Sequence, residues 1–264
     1  MKVLIITGGD SSEREVSLNS AKNVSNALEE NGHVVKLYDL RDGYEPITKS
    51  SNKYDILFPV LHGEEGEGGK LHKFLSNINK PIVGTRNFKG LKNAWFKIPF
   101  KIYCDKNNIL TSPWKIIKTK NDIEKFGLPC VLKSSNGGSS REVAIIKSKD
   151  DLASTEVKRI LDMDTDIFVE KCLKGIEVTV GILNDKPLPI IEIIPPDGEF
   201  FDYENKYTGK TQEIPFAPSL NDEMQKKIQD ITLKIHNHFD LGTYSRTDFM
   251  VFENVPYVLD VNTI

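Results

Sequence analysis

The stretch TYSRTDFMVFENVPYVLDVNTI, residues 243–264, decides how the rest of the chain reads. Its alternation of apolar and polar residues predicts two strands, 244–252 and 256–263, around a short turn at Glu253-Asn254-Val255. Side chains alternate faces along a strand, so Arg246 and Asp248 share one face, and Asp260 and Asn262 share another. An odd-length turn centred on Asn254 sets Asp248 opposite Asp260 and Arg246 opposite Asn262. Two carboxylates, an amide and a guanidinium then fall in one patch, with Phe249, Val251, Leu259 and Val261 expected as core on the other face. Hard oxygen donors beside a fixed cation suit magnesium holding nucleotide phosphates. The same residues also suit a solvated hairpin face with ordinary ion pairs, because charge clusters mark sites only statistically.

Composition narrows the class. With 264 residues and 39% hydrophobic content the chain can build a sizeable core, in two or three lobes. A net charge of −3 and the absence of like-charge runs speak against a nucleic-acid partner. Cys104, Cys130 and Cys172 are odd in number and widely spaced, which argues against a disulfide framework or a zinc site. The opening Met-Lys-Val-Leu-Ile-Ile-Thr-Gly-Gly is too short an apolar run for a signal peptide, and no stretch approaches a membrane span. The expectation is a soluble, cytoplasmic α/β protein with no membrane partner.

Upstream, an apolar strand at residues 2–7 ends at Gly8-Gly9, and a helix with Leu18, Ala21, Val24 and Leu28 on one stripe follows. Strand, glycine turn and helix form a mononucleotide-type unit whose loop sits at a strand's carboxyl end, where open α/β sheets bind ligands. Glu13 at the helix start reads as a cap or as an acceptor for a substrate ammonium. A second strand end runs into Leu61-His62-Gly63 and a glycine-rich loop through Gly69, which raises the functional weight of His62. Lys133 closes an apolar strand directly before Ser134-Ser135-Asn136-Gly137-Gly138-Ser139-Ser140. That loop reads as a flexible phosphate cover or as a plain hairpin turn; it is not a Walker A motif, since no GK[ST] opens a helix. A single helix is expected around residues 92–105. Strands are expected at 167–172, 178–183 and 188–194. The polar, irregular stretch 195–219 reads as a lid. Ser219 precedes an amphipathic helix carrying Met224, Ile228, Ile231, Ile235 and Phe239 on one face and ending by Gly242.

Taken in order, these motifs resemble the ATP-grasp carboxylate–amine ligases, and within them the D-alanine–D-alanine ligases. The resemblance is carried by the segment from Gly8-Gly9-Asp10 to Val16-Ser17-Leu18, by Leu61-His62-Gly63, and by Val131-Leu132-Lys133 with Gly138-Ser139-Ser140. It continues through Val169-Glu170-Lys171, Tyr203-Glu204-Asn205-Lys206-Tyr207, Arg246-Thr247-Asp248 and Asp260-Val261-Asn262-Thr263, collinear over the whole chain. It implies an ATP-grasp fold behind an N-terminal Rossmann-like domain, with units at 1–88, 89–175 and 176–264. The implied activity is ATP-dependent joining of two D-alanines through an acyl phosphate, supplying peptidoglycan precursors.

By the same resemblance, Lys97, Lys133 and Lys206 hold ATP phosphates, and Glu170, Lys171 and Leu173 form the adenine segment. Glu177 takes the ribose hydroxyls. Asp248, Asp260 and Asn262 hold two magnesium (or manganese) ions, and Arg246 steadies the transferred phosphoryl group. Glu13, Ser139 and Tyr207 form the triad that meets the first substrate, with His62 beside it. The resemblance also implies a possible homodimer.

The sequence departs from the family pattern in several places. Gly68 stands for an aspartate, Ser140-Arg141-Glu142 for Ser-Val-Gly, Ala94-Trp95-Phe96 for the helix turn with Met-Asp, and Asp260 for glutamate. The family pattern also runs on beyond Thr263 to a glycine that donates to the oxyanion and a segment that grips the second substrate. Two further readings follow from these departures: an ATP-grasp ligase for a different carboxylate–amine pair, and a Mg-ATP-binding relic or regulator without turnover.

Overall fold

Val3 to Ile6 are apolar without interruption and become the buried centre of β1 (Lys2–Thr7), a strand covered on both faces. In this computed structural model, which describes residues 1–136, 142–196 and 211–264, β1 lies between β2 (Val34–Asp39) and β3 (Ile56–Pro59), parallel to both. The glycine turn after β1 is locked from the side. Arg14, opening the helix Arg14–Glu30, donates to Asp39 at 3.0 and 2.5 Å and to the Gly9 carbonyl at 3.0 Å. Gly8 sits at φ 77°, and a Cβ there would meet the Asp39 carboxylate at 2.2 Å, so only glycine fits.

The second sheet is antiparallel, in the order β4 (Trp114–Ile117), β7 (Ile167–Lys171), β5 (Cys130–Ser134), β6 (Val143–Ile146). Alternation along β5 sends Cys130 and Leu132 into a core under the helices Lys120–Phe126 and Thr155–Leu161. Val131 and Lys133 turn the other way, towards a cavity.

The third sheet carries β8 (Ile176–Leu183), β9 (Lys186–Pro187), β10 (Ile191–Ile194), β11 (Gln212–Pro215), β12 (Tyr244–Phe252) and β13 (Val255–Asn262), in the order β11-β10-β8-β12-β13 with β9 on β8. Its far face is covered by the helices Phe88–Trp95, Lys97–Lys106 and Asp222–Phe239, so Phe100, Tyr103 and Cys104 share a core with Val178, Phe249 and Val261. The apolar side chains of segment 88–106 therefore pack on this sheet.

Two expectations are corrected. The helix expected around 92–105 is two helices, broken at Phe96 (ψ 116°). Pro99 is the cause: its ring would strike the Trp95 carbonyl in a continuous helix, whereas it is tolerated in the first turn of a new one. The long helix follows Ser219 as expected; its cap is Asn221, accepting from the Met224 N–H at 2.9 Å, while Ser219 bonds the Glu192 carboxylate through its N–H and hydroxyl.

The second correction concerns the last hairpin. Its turn has two residues, Glu253 and Asn254, both left-handed (φ 50° and 60°), and pairs Phe252 with Val255. That even turn alone would place Asp260 on the wrong face. A bulge after Asp248 adds Leu259 as an extra residue and restores the expected pairs Asp248–Asp260 and Arg246–Asn262. The phase change turns Leu259 out of the core and towards the cavity, while Phe249, Val251 and Val261 are buried. Among the described residues, no helix is long and apolar enough to cross a membrane.

Candidate active site

The second and third sheets face each other across a cavity of about 510 Å³. Val131, Val143 and Ile145 form one apolar wall; Ile191, Ile193, Met250 and Leu259 form the other. At one end Lys171, Cys172 and Leu173 leave β7 and cross between the sheets. Their backbone is pinned, with the Lys171 carbonyl accepting from Ser112 Oγ at 2.6 Å and its N–H donating to the Pro113 carbonyl at 2.9 Å. A flat apolar slot bordered by exposed backbone suits a planar base. Glu177 lines the cavity from β8. The Lys171 side chain itself is exposed, so only its backbone borders the slot.

Charged groups fill the middle, and Lys97, Lys133 and Arg246 each contact a carboxylate. Lys97, at the start of its helix, lies 3.1 Å from Asp260; Arg246 donates to Asp248 at 3.1 and 3.3 Å; Lys133 lies 2.5 Å from Glu170. Asp248 is further held by Thr179 Oγ1 at 2.6 Å and by Asn262 Nδ2 at 2.9 Å. Burial alone would lower the Lys133 pKa, but Glu170 outweighs it and raises it. Asp248 raises that of Arg246. The break at Phe96 has a use here: it lets the Lys97 N–H donate to the Ser135 carbonyl at 2.8 Å, tying the helix start to the loop after Lys133.

The far end belongs to the N-terminal unit. Glu13 occupies the N-cap position, but its side chain makes no capping bond, lines the cavity and is 8% exposed. Capping is thus not what its carboxylate does. Gly63, at φ 88°, lets the loop after β3 approach closely, since a Cβ there would come within 3.2 Å of Glu13 Oε2. His62 is held by Ser17 Oγ, which accepts from its N–H at 2.9 Å, and by Ser20 at 3.1 Å. Burial pushes its imidazole below the ordinary value, with Glu13 opposing and Arg246 assisting. Glu67 accepts from the Gly63 N–H at 3.0 Å, and burial pushes its carboxyl up to about 7.

Glu13, His62, Lys97, Lys133, Glu170, Lys171, Leu173, Glu177, Arg246, Asp248, Asp260 and Asn262 therefore border one cavity. Ser139, Lys206 and Tyr207 lie outside the described residues. Two residues escaped sequence reasoning. Glu67 looked like one more acid in a polar loop, and Lys101 like a solvated helix lysine. The spacing of Lys97 and Lys101, four residues apart on one helix face, was the available signal for the second.

Two magnesium (or manganese) ions were expected at Asp248, Asp260 and Asn262. The two carboxylates are register partners, and all three side chains border the cavity. Among the described residues no group of three or more His, Cys, Asp or Glu side chains gathers to hold an ion. The donor set is therefore two carboxylates and an amide, hard oxygen ligands that suit magnesium completed by phosphate and water oxygens.

Two antiparallel sheets closing on a cavity with this distribution of charge define an ATP-grasp protein. The chain is similar over its whole length to the crystal structure of D-alanine–D-alanine ligase from Bacillus anthracis complexed with ATP, with a TM-score of 0.82 and 27% identity, covering 86% of that chain. The family model described as D-ala D-ala ligase C-terminus matches residues 103–264. D-Alanine–D-alanine ligase from Maridesulfovibrio salexigens is 38% identical over 100% of this chain and 88% of its own length. D-Alanine–D-alanine ligase A from Clostridium perfringens is 32% identical over the same shares. The chain belongs to the D-alanine–D-alanine ligase family.

Proposed function

We propose that this chain joins two D-alanine molecules at the expense of ATP. The observation that carries the reading is the pairing of charges in the cavity. Lys97 and Arg246, the cations suited to phosphate, rest on Asp260 and Asp248, the carboxylates suited to magnesium. Mg-ATP exchanges both kinds of contact at once: phosphate oxygens take the cations, and the carboxylates keep a cationic partner. No charge is left buried and uncompensated, which is the condition for such an exchange to be cheap.

The carboxylate of the first D-alanine takes the terminal phosphoryl group of ATP, releasing ADP. The amine of the second then attacks the acyl carbon, the C–O bond to phosphate breaks, and phosphate leaves with the new amide formed. Glu13 receives the ammonium of the first D-alanine, beside His62. Lys97 and Lys133 orient the phosphates, and Arg246 meets the charge that builds on the transferred group and on the acyl oxygen. Glu170 and the backbone from Lys171 to Leu173 take the base, and Glu177 the ribose. Asp248, Asp260 and Asn262 would hold magnesium, which when bound would supply positive charge to offset that of the phosphates. Ser139, Lys206 and Tyr207 enter this proposal only through their place in the family pattern. The cytoplasm, where ATP is made, is the compartment this reaction suits.

The test supplies Mg-ATP with D-alanine, L-alanine, other D-amino acids and D-lactate in turn, and measures ADP and condensed product. D-Alanine-dependent ADP release with D-alanyl-D-alanine formed is the expected result. ADP release with another acid but none above background with D-alanine would reject the substrate.

A further inference from the structure

Lys101 lies one helical turn beyond Lys97 and is buried to 2% exposure. A lone ammonium at that depth would be strongly disfavoured. Its Nζ instead stands 2.6 Å from Glu170 Oε2, donates to Thr111 Oγ1 at 2.6 Å, and sits 5.5 Å from the centroid of the Phe168 ring. Thr111 passes the contact on, donating to the Val258 carbonyl on β13 at 3.0 Å. Lys133 reaches the other oxygen of the same carboxylate, Oε1, but from the cavity side. Glu170 thus has two lysines of unequal freedom: one enclosed by protein and one facing the ligand space.

We infer that Lys101 is a positioning residue of the nucleotide site, a permanent counter-ion for Glu170 that allows Lys133 to leave that carboxylate for the phosphates of ATP. The inference rests on the nucleotide-binding reading above. If Glu170 had Lys133 alone, the move would strand a carboxylate that is 3% exposed, and stripping one partner from a buried pair is strongly unfavourable. With Lys101 fixed below, Lys133 exchanges one anionic oxygen for another, and Oε1 is released towards the base. Lys101 itself need never touch the ligand. Its link through Thr111 to β13 also places the base end of the cavity and the strand of Asp260 on one support.

The experiment measures Mg-ATP binding to the full chain by calorimetry for the parent, Lys101→Met, Glu170→Gln and the double variant. Lys101→Met is expected to weaken Mg-ATP by about tenfold or more, the scale of one charge-assisted contact. The KM for D-alanine at saturating ATP stays where it was. In the Glu170→Gln background the same substitution is expected to cost less than about threefold, because no carboxylate remains to be held. The double variant removes Lys101 and Glu170 together and so folds even where either single variant, which strands one buried charge, does not. It is then compared with the parent, and Mg-ATP binding weakened by as much as about tenfold beyond Glu170→Gln, or beyond Glu170→Ala where Glu170→Gln does not fold, would overturn the inference. Equal losses in the two backgrounds, or parent-like binding by Lys101→Met, would overturn the inference. A parent chain that fails to bind Mg-ATP would instead overturn the nucleotide-site reading, and the inference with it.

Discussion

Glu67 offers a stability measurement that reports directly on the electrostatics of the site. It is 7% exposed, accepts the Gly63 N–H, and has the carboxylates of Glu13 and Asp260 near it, with Lys97 in partial opposition. Burial is the largest influence and pushes its carboxyl from 4.5 to about 7. The folded protein therefore holds this proton more tightly than the unfolded chain does. The stability that protonated Glu67 contributes is complete below pH 4.5 and is lost as pH rises through about 7. A gap of about 2.5 pH units at roughly 1.4 kcal/mol each amounts to about 3 kcal/mol. Glu67→Gln keeps an acceptor for Gly63 and never ionises. It is expected to be more stable than the parent by about 3 kcal/mol at pH 8, with the advantage shrinking by roughly 1.4 kcal/mol per pH unit between 7 and 4.5. Urea unfolding at half-unit steps from pH 4.5 to 8.5, followed by the fluorescence of Trp95 and Trp114, measures both variants. Parallel stability curves across that range would refute the argument.

Three shorter predictions concern the hairpin, the ion site and the N-terminal loop. Asp248→Asn and Asn262→Ala are each expected to reduce Mg-dependent ADP release by more than about 100-fold; parent-like turnover in either would remove that residue from the ion site. Val261→Ala is expected to cost about 2 kcal/mol in thermal or urea unfolding, and Leu259→Ala less than about 1 kcal/mol while weakening ATP, since the bulge puts Leu259 on the cavity. The reverse order would place the bulge elsewhere. Gly66→Ala would set a Cβ 1.7 Å from the Leu61 carbonyl oxygen, and a loss of more than about 3 kcal/mol is expected. A parent-like unfolding midpoint would contradict that contact.

What was legible in the sequence was whatever depends on neighbours along the chain. The unbroken apolar run Val3–Ile6, the alternation that turns Lys133 away from Leu132, and the face shared by Asp260 and Asn262 all follow from local periodicity, and all hold. The way Asp260 reaches Asp248 was not legible in detail. An odd turn and an even turn followed by a bulge lead to the same pairing, and periodicity constrains only their combined parity. The sequence did carry a trace of the difference. That trace is partial: Val255 to Leu259 are nonpolar without interruption and alternation starts only at Leu259-Asp260-Val261-Asn262, while in the structure the phase break shows as two successive half-buried residues, Leu259 and Asp260. For Lys101 the spacing from Lys97 marked only a shared helix face; its partners Thr111, Phe168 and Glu170 come together only when the helix Lys97–Lys106 packs against β7. Family resemblance assigned Lys133 and Glu170 separate roles, one to phosphate and one to base. The structure joins them in a single ion pair with Lys101 behind it. Under the proposed assignments, phosphate and base recognition are coupled through one carboxylate, and a substitution at either lysine is expected to reach both.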